Sequence, residues 1–394
     1  MSAGVPRSTV LVVSAVEASG DVLGAALMRA LKARAPDISF VGCGGPMMAR
    51  EGLDSLFPTD PFAVIGPAGA LKALPAALGG ADALARAARD HHAAGAVLID
   101  SWTFSRLAAR RIRAAAPATA LIKYVAPQVW GSRPERAETL AALFDGVLTL
   151  FDFETPWFER VGVETRFVGN SAFQAARDRA GDGAAFRMRH GVGDAPLLAV
   201  LPGSRRDEAR RLTAVFGETI RRLIRDRPSL RVCVGVAPGV EAIVRPAVEG
   251  WPGAPVLTRA EDRFEAFSAA DAALAASGTV TTELAICGAP MVVGYRVGPL
   301  TEMWIRSVIT TPYVCMVNIA AEREVIPEFL QKDCTPGALA AALGPLLDGG
   351  PAREAQLAAF APALERLGVG GPPAEDVAAE AILDWIAEKR PVSA

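Results

Sequence analysis

The sequence predicts an α/β fold made of two doubly wound domains, each a parallel sheet covered by helices on both faces. Three observations predict it. Short apolar runs of strand length alternate with Ala-, Leu- and Arg-rich stretches of helical periodicity. The alternation starts afresh midway, at Leu197–Leu201. The chain's 394 residues also exceed what one hydrophobic core usually holds. Strands that alternate with helices pair in parallel and are buried on both faces.

The first half opens with Thr9–Val13, β-branched and apolar, followed by the polar turn Glu17-Ala18-Ser19-Gly20-Asp21. Leu23, Leu27, Ala30 and Leu31 then repeat at helical spacing. Further strand runs are Phe40–Val41, Ala96–Ile99, Ala120–Tyr124 and Gly146–Leu150. The second half continues from Leu197–Leu201 through Leu230–Val234, Ala272–Ala276 and Met291–Tyr295. Residues 175–195 are rich in Gly, Asp and Arg and hold no strand pattern, so the linker is placed there. The expected domains are therefore 1–175 and 196–365, with an amphipathic helix in 372–390 that can pack back on the first domain.

Composition narrows the function. The chain is 51% hydrophobic and 21% charged, as folded soluble proteins are. Its 41 Lys and Arg against 43 Asp and Glu argue against nucleic acid as a partner. The five cysteines, Cys43, Cys233, Cys287, Cys315 and Cys334, are scattered and form no C-x-x-C pair, which points to a reducing cytoplasm with neither a disulfide framework nor a zinc site. The run Val10–Val13 after Arg7 is too short for a signal-peptide core, and no stretch reaches the roughly 18 apolar residues of a spanning helix, so any membrane contact is peripheral. His91, His92 and His190 lie in no motif, against a histidine triad or metal centre.

The polar clusters fall where doubly wound sheets bind ligands, at the carboxyl ends of strands. Ser277, Gly278 and Thr279 stand where Ala272–Ala276 hands over to a helix. Their hydroxyls and the unpaired first-turn N–H groups suit a phosphate, and Glu283 one turn on suits a ribose; a structural N-cap uses the same residues. Ser204 and Arg205 end another strand, and an Arg fixed in that turn pairs well with a diphosphate. Asp100 ends Ala96–Ile99 as a candidate general base or as a helix cap. Glu17 can meet the sugar, help position the acceptor or cap the helix that follows, whereas Asp21 suits a cap on its own helix. Gln128 and Trp130, with Arg133 beyond, suit sugar or phosphate contact or a buried loop anchor. Asn318 can bond a nucleotide or organise a turn. Arg106, Arg110 and Arg113 form a basic stripe, solvated or facing anionic head groups. Phe62, Val64, Ile65, Leu71, Leu74 and Leu78 are core residues or an apolar lip for acyl chains. The architecture suits transfer from a nucleotide sugar or dinucleotide redox chemistry, and the lack of G-x-G-x-x-G after the first strand weakens the second.

Taken in order, Glu17–Asp21, Gly44-Gly45-Pro46-Met47, Ile99-Asp100, Pro127-Gln128-Val129-Trp130, Leu201–Arg205, Ser277–Glu283, Pro290–Arg296 and Pro327–Gln331 resemble the motif series of the bacterial lipid-A-disaccharide synthases across nearly the whole chain. The resemblance implies a GT-B fold, two Rossmann-like domains facing across a cleft, with the acceptor on the first and the UDP-sugar on the second. It implies no cofactor and no catalytic metal. The implied reaction moves 2,3-diacylglucosamine from its UDP form onto 2,3-diacylglucosamine 1-phosphate with inversion, at the cytoplasmic face of the inner membrane. Asp100 then matches the base, Glu17 the cleft acid, and Arg205, Ser277, Thr279, Glu283 and Asn318 the UDP side. Ser204, Gly278 and Gln128 are further candidates for donor contact.

The chain departs from that series mostly on the acceptor side. Trp102-Thr103-Phe104-Ser105 stand for Pro-Asp-Phe-Asn, Asn170 for a histidine, Ser132 for a tryptophan, Gly69 for an acid, and Cys315-Met316-Val317 for Ser-Leu-Pro. A related transferase with another acceptor and a catalytically silent UDP-sugar-binding homologue therefore stay open. Oligomeric state, a homodimer included, is not written in these residues.

Overall fold

The computed structural model describes residues 9–62, 67–298, 301–303 and 309–389. Arg7, Val64 and Ile65 lie outside them. The chain forms two compact units, Met1–Ser171 with Gly371–Ala394, and Ala172–Gly370.

The first unit is a parallel sheet of β1 (Val10–Ala15), β2 (Ser39–Cys43), β3 (Gly95–Ile99), β4 (Ala120–Tyr124), β5 (Gly146–Thr149) and β6 (Glu164–Phe167), in the order β2-β1-β3-β4-β5-β6. Its helices are α1 (Ala18–Arg34), α2 (Pro46–Arg50), α3 (Pro67–Asp90), α4 (Trp102–Ala115), α5 (Arg136–Ala141) and α6 (Thr155–Glu159). Alternation along the strands explains their unbroken apolar runs. Leu11, Val13, Val97, Ile99 and Ile122 meet Leu27, Met28 and Leu31 of α1 on one face. Val12, Ala96, Leu98 and Leu121 meet Leu84 of α3 and Phe104, Ala108 and Ile112 of α4 on the other.

The second unit holds β7 (Leu197–Leu201), β8 (Arg231–Gly235), β9 (Val256–Thr258), β10 (Ala272–Ala275), β11 (Met291–Tyr295) and β12 (Glu328–Leu330), ordered β12-β11-β10-β7-β8-β9, all parallel. Its helices are α7 (Ser171–Asp178), α8 (Gly183–Arg189), α9 (Arg206–Asp226), α10 (Glu241–Glu249), α11 (Arg263–Ala269), α12 (Thr279–Ile286), α13 (Met316–Ala321), α14 (Pro336–Leu347) and α15 (Pro351–Arg366). Residues 175–195, where the sequence places a linker, hold the end of α7 and all of α8. Asp182 caps α8 by accepting the N–H groups of Ala184 and Ala185, and Arg187 binds Asp271 at 2.5 Å and the carbonyl of Ala269. Those bonds tie the segment to the second unit.

The last helix, α16 (Ala374–Lys389), belongs to the first unit. Ala378, Ile382 and Ile386 join the core beside α1. A Cβ on Gly146 would stand 2.6 Å from the ring of Trp385, so that helix lies against bare sheet backbone. Arg34 pairs with Asp376 at 2.7 Å, and Lys389 with Asp145.

Candidate active site

In the first unit the chain turns from β1 out to β2 and then returns to β3 on the opposite side of β1. Loops that leave neighbouring strands in opposite directions open a crevice at their carboxyl ends. The loop after β1 carries Glu17 and runs into the first turn of α1, which carries Ser19; the loop after β3 carries Asp100 and Ser101. Asp100 and Ser101 both have positive φ, 51° and 30°, which side-chain-bearing residues rarely adopt. A dense set of bonds holds this corner. The Asp100 N–H donates to the Tyr124 carbonyl at 3.0 Å, and the Ser105 hydroxyl donates to the Asp100 carbonyl at 2.8 Å. The Lys123 ammonium donates to the carbonyls of Leu98 at 3.1 Å, Tyr124 at 3.0 Å and Asp100.

The Asp100 carboxylate accepts the Ser19 hydroxyl on one oxygen at 3.2 Å and the Ser101 N–H on the other at 2.9 Å. Each oxygen keeps a lone pair for a further donor. Partial desolvation at the loop base, and then the charge of Asp100, push the Glu17 carboxyl above its ordinary range although its side chain reaches solvent; a bond to Ser101 partly offsets this.

The second unit has the same reversal between β7 and β10. A pocket of about 440 Å³ lies there, and Ser204, Arg205, Glu208, Arg263, Ser277, Gly278, Thr279 and Glu283 are among its lining. Gly278, at φ 152°, precedes α12, and a Cβ on it would meet nothing within 4 Å, so open space faces the backbone there. In the first turn of α12 the Thr281 N–H donates to the Gly278 carbonyl at 3.1 Å, and the N–H groups of Thr279 and Val280, which precede any intrahelical acceptor, suit an anion. Gly203, at φ 101°, lets the turn pass so close that a Cβ would stand 2.9 Å from Glu208 Oε2. Glu208 is 7% exposed; it accepts the Tyr295 hydroxyl at 2.7 Å and Arg205 Nη1 at 2.8 Å. Arg205 is thereby aimed by one nitrogen, while its side chain stays 78% exposed with the rest of its fork open. Glu283 lines the pocket with one oxygen paired to Arg263 at 3.1 Å.

The lipid-A-disaccharide synthetase family matches residues 11–367. The chain belongs to this family. A lipid-A-disaccharide synthase of Rhodospirillum centenum is 43% identical over 377 residues, 95% of this chain and 94% of its own length. Among solved structures, a putative UDP-N-acetylglucosamine 2-epimerase from Listeria monocytogenes has a TM-score of 0.61 at 13% identity, covering 98% of this chain and 96% of its own. A calicheamicin glycosyltransferase has 0.57 at 15%, covering 98% and 100%. Those two likenesses concern the fold, which is of the GT-B type with two Rossmann-like domains.

Against that family background, several residues singled out in the sequence serve the scaffold. Asn318 is fully buried and uses all its capacity internally. Its amide donates to the Ile326 carbonyl and to Glu328, and its carbonyl accepts the N–H groups of Val325 and Ile326, all at 2.8 Å. It has no donor left for a nucleotide, so the donor-contact role expected of it is replaced by loop organisation. Ser277 lines the pocket, but its hydroxyl proton goes to the Val314 carbonyl at 2.9 Å. Asp21 does not cap its own helix: from inside α1 it accepts the N–H groups of Gly45, Met47 and Met48 and so caps α2. Trp130 is a loop anchor, its indole donating to buried Glu154 at 2.9 Å, and burial pushes that carboxyl up to about 7. Gln128, in the first unit, is exposed. Arg113 leaves the basic stripe to bind Asp145 at 2.8 Å and the carbonyl of Leu143. Phe62 packs on Phe104 at 5.0 Å, whereas Leu74 and Leu78 of α3 are exposed.

Lys123, Glu208, Tyr295 and Arg263 were not singled out. Lys123 carries a readable signal, a charge inside the otherwise apolar strand run Ala120–Tyr124. Among the described residues no three of His, Cys, Asp or Glu gather as a metal site requires.

Proposed function

We propose that the chain condenses UDP-2,3-diacylglucosamine with 2,3-diacylglucosamine 1-phosphate, with inversion, to give lipid A disaccharide 1-phosphate and UDP. The observation that supports this most, in a chain of this family, is the pocket at the β7–β10 reversal. There Arg205 and the amino end of α12 are set for a diphosphate. As the sugar–phosphate bond breaks, charge grows on the departing UDP. Donors already fixed around that position stabilise the transition state more than the ground state. Asp100, with a free lone pair on each oxygen, takes the proton of the attacking 6-hydroxyl, an effect worth roughly 10²–10⁴ in rate. Glu17, whose carboxyl holds its proton to higher pH than an ordinary glutamate, suits hydrogen bonding to the acceptor sugar. Ser204, Gly278, Thr279 and Glu283 are the donor contacts retained by this reading, with Gln128 a candidate from the first unit.

Both substrates carry acyl chains, so the protein works peripherally on the cytoplasmic face of the inner membrane. No helix among the described residues is long and apolar enough to cross a bilayer, and Leu74 and Leu78 are available to a lipid surface. The test is incubation of purified protein with the two lipid substrates. A disaccharide 1-phosphate of the summed mass and equimolar UDP are expected, and UDP binding without turnover would leave only a silent homologue. A transferase with another acceptor is favoured by one feature: Trp102, Thr103, Ser105, Ser132 and Asn170 depart from the family series and all lie in the first unit. UDP release across a panel of acceptors separates the two.

A further inference from the structure

Lys123 is 1% exposed, on the face of the sheet that otherwise carries Ala96, Leu98, Leu121 and Val147. An ammonium has three N–H donors, and the carbonyls of Leu98, Asp100 and Tyr124 take all three. A neutral amine has two, so one of these carbonyls would then face a lone pair. The geometry therefore specifies the charged form, in a place where burying a charge is costly and an apolar side chain of the same length would pack. Two of the three carbonyls flank or belong to the strained Asp100–Ser101 corner. The charged groups that face the ammonium are Asp100 and Glu17.

We propose that Lys123 is a positioning residue for Asp100: from beneath the carboxyl ends of β3 and β4 its ammonium pins the left-handed Asp100–Ser101 corner and supplies the positive charge that faces the carboxylates of Asp100 and Glu17. It has no donor left for substrate, so it acts through Asp100. The inference rests on Asp100 being the base. Burial drives the Lys123 ammonium down to about 7, against the opposing pull of Asp100 and Glu17. The third donor and the charge are thus present below that pH and lost above it, and turnover falls as pH rises through about 7.

The experiment is steady-state kinetics of the full chain, Lys123→Met and Lys123→Arg from about pH 6 to about pH 9, with melting temperature and UDP affinity measured alongside. Lys123→Met is expected to lower kcat by about tenfold or more, to leave the donor KM and UDP affinity within about threefold, and to lack the alkaline limb. Lys123→Arg, charged throughout, should retain more kcat than Lys123→Met and carry its alkaline limb beyond the measured range. Unchanged kcat in Lys123→Met, or an alkaline limb near pH 7 in either variant, overturns the inference. Should Lys123→Met fail to fold, the profile of Lys123→Arg decides alone by the same criterion. Absence of disaccharide from the unmodified protein defeats the functional reading itself, whereas normal turnover with an unmoved profile defeats only the role of Lys123.

Discussion

The two units place their polar residues at the same topological position and fill it with opposite chemistry. One sheet runs β2-β1-β3-β4-β5-β6 and the other β9-β8-β7-β10-β11-β12, and each has its candidate site where the strand order reverses about its first strand. At β1–β3 the first unit presents two carboxylates, Glu17 and Asp100, over a buried lysine. At β7–β10 the second presents Arg205 and a helix amino end, with Glu208 buried behind the guanidinium. One fold thus presents carboxylates at one site and a guanidinium at the other according to which charge is exposed and which is buried as its support.

The sharpest test of that division is Asp100→Asn, which removes the acceptor of the proton but keeps the shape of the corner. Turnover is expected to fall by roughly 10³-fold, measured as disaccharide by mass, with UDP affinity unchanged. Loss of UDP binding instead would dissolve the distinction between the two sites.

Next in size is Asn318→Ala. It takes the Asn318 partner from the Val325 and Ile326 N–H groups and from the Ile326 carbonyl, at a cost on the order of 3 kcal/mol. A melting temperature lower by roughly 10 °C is expected for a unit of this size, with near-normal UDP affinity wherever the variant is folded. Thr279→Ala should do the reverse, weakening UDP binding with little change in melting. If Asn318→Ala loses UDP affinity at full stability, it is a ligand after all. Arg205→Ala comes third: about a 10–100-fold rise in donor KM follows from losing a charge-assisted contact, with acceptor KM unmoved.

Asn318 also shows where the sequence stops being legible. The strands β1, β3, β4, β7 and β10 are buried on both faces, so their apolar runs stand out, and the turns after them follow. The short outer strands β6, β9 and β12 have no fully buried run and leave no such trace. The positions of Asp100, Arg205 and Thr279 were legible because a strand end is a fixed place in this fold. Whether a polar side chain faces a ligand or closes a loop depends on partners distant in sequence. Asn318 meets Glu328, Ser277 meets Val314, and Asp21 meets an N-terminus 24 to 27 residues on. Lys123 was legible as an anomaly, but its three carbonyl partners come from the ends of two strands and exist only in the fold.

The smallest expected effect bears on why the first unit holds its acids so close. A carboxyl whose folded-state pKa is raised binds more protons folded than unfolded, so it lowers stability as pH rises past its ordinary value near 4.5. Glu17→Gln removes that ionisation and should raise the melting temperature at pH 7, with the gain fading as pH falls toward 4. Because Glu17 reaches solvent, the gain stays below about 1 kcal/mol. Turnover should nevertheless fall, because the amide has one acceptor oxygen where the carboxylate has two for the acceptor sugar. A variant both more stable and less active would mark Glu17 as a residue kept for function at a cost in stability. Unchanged activity would reduce the site of the first unit to Asp100 and its supports.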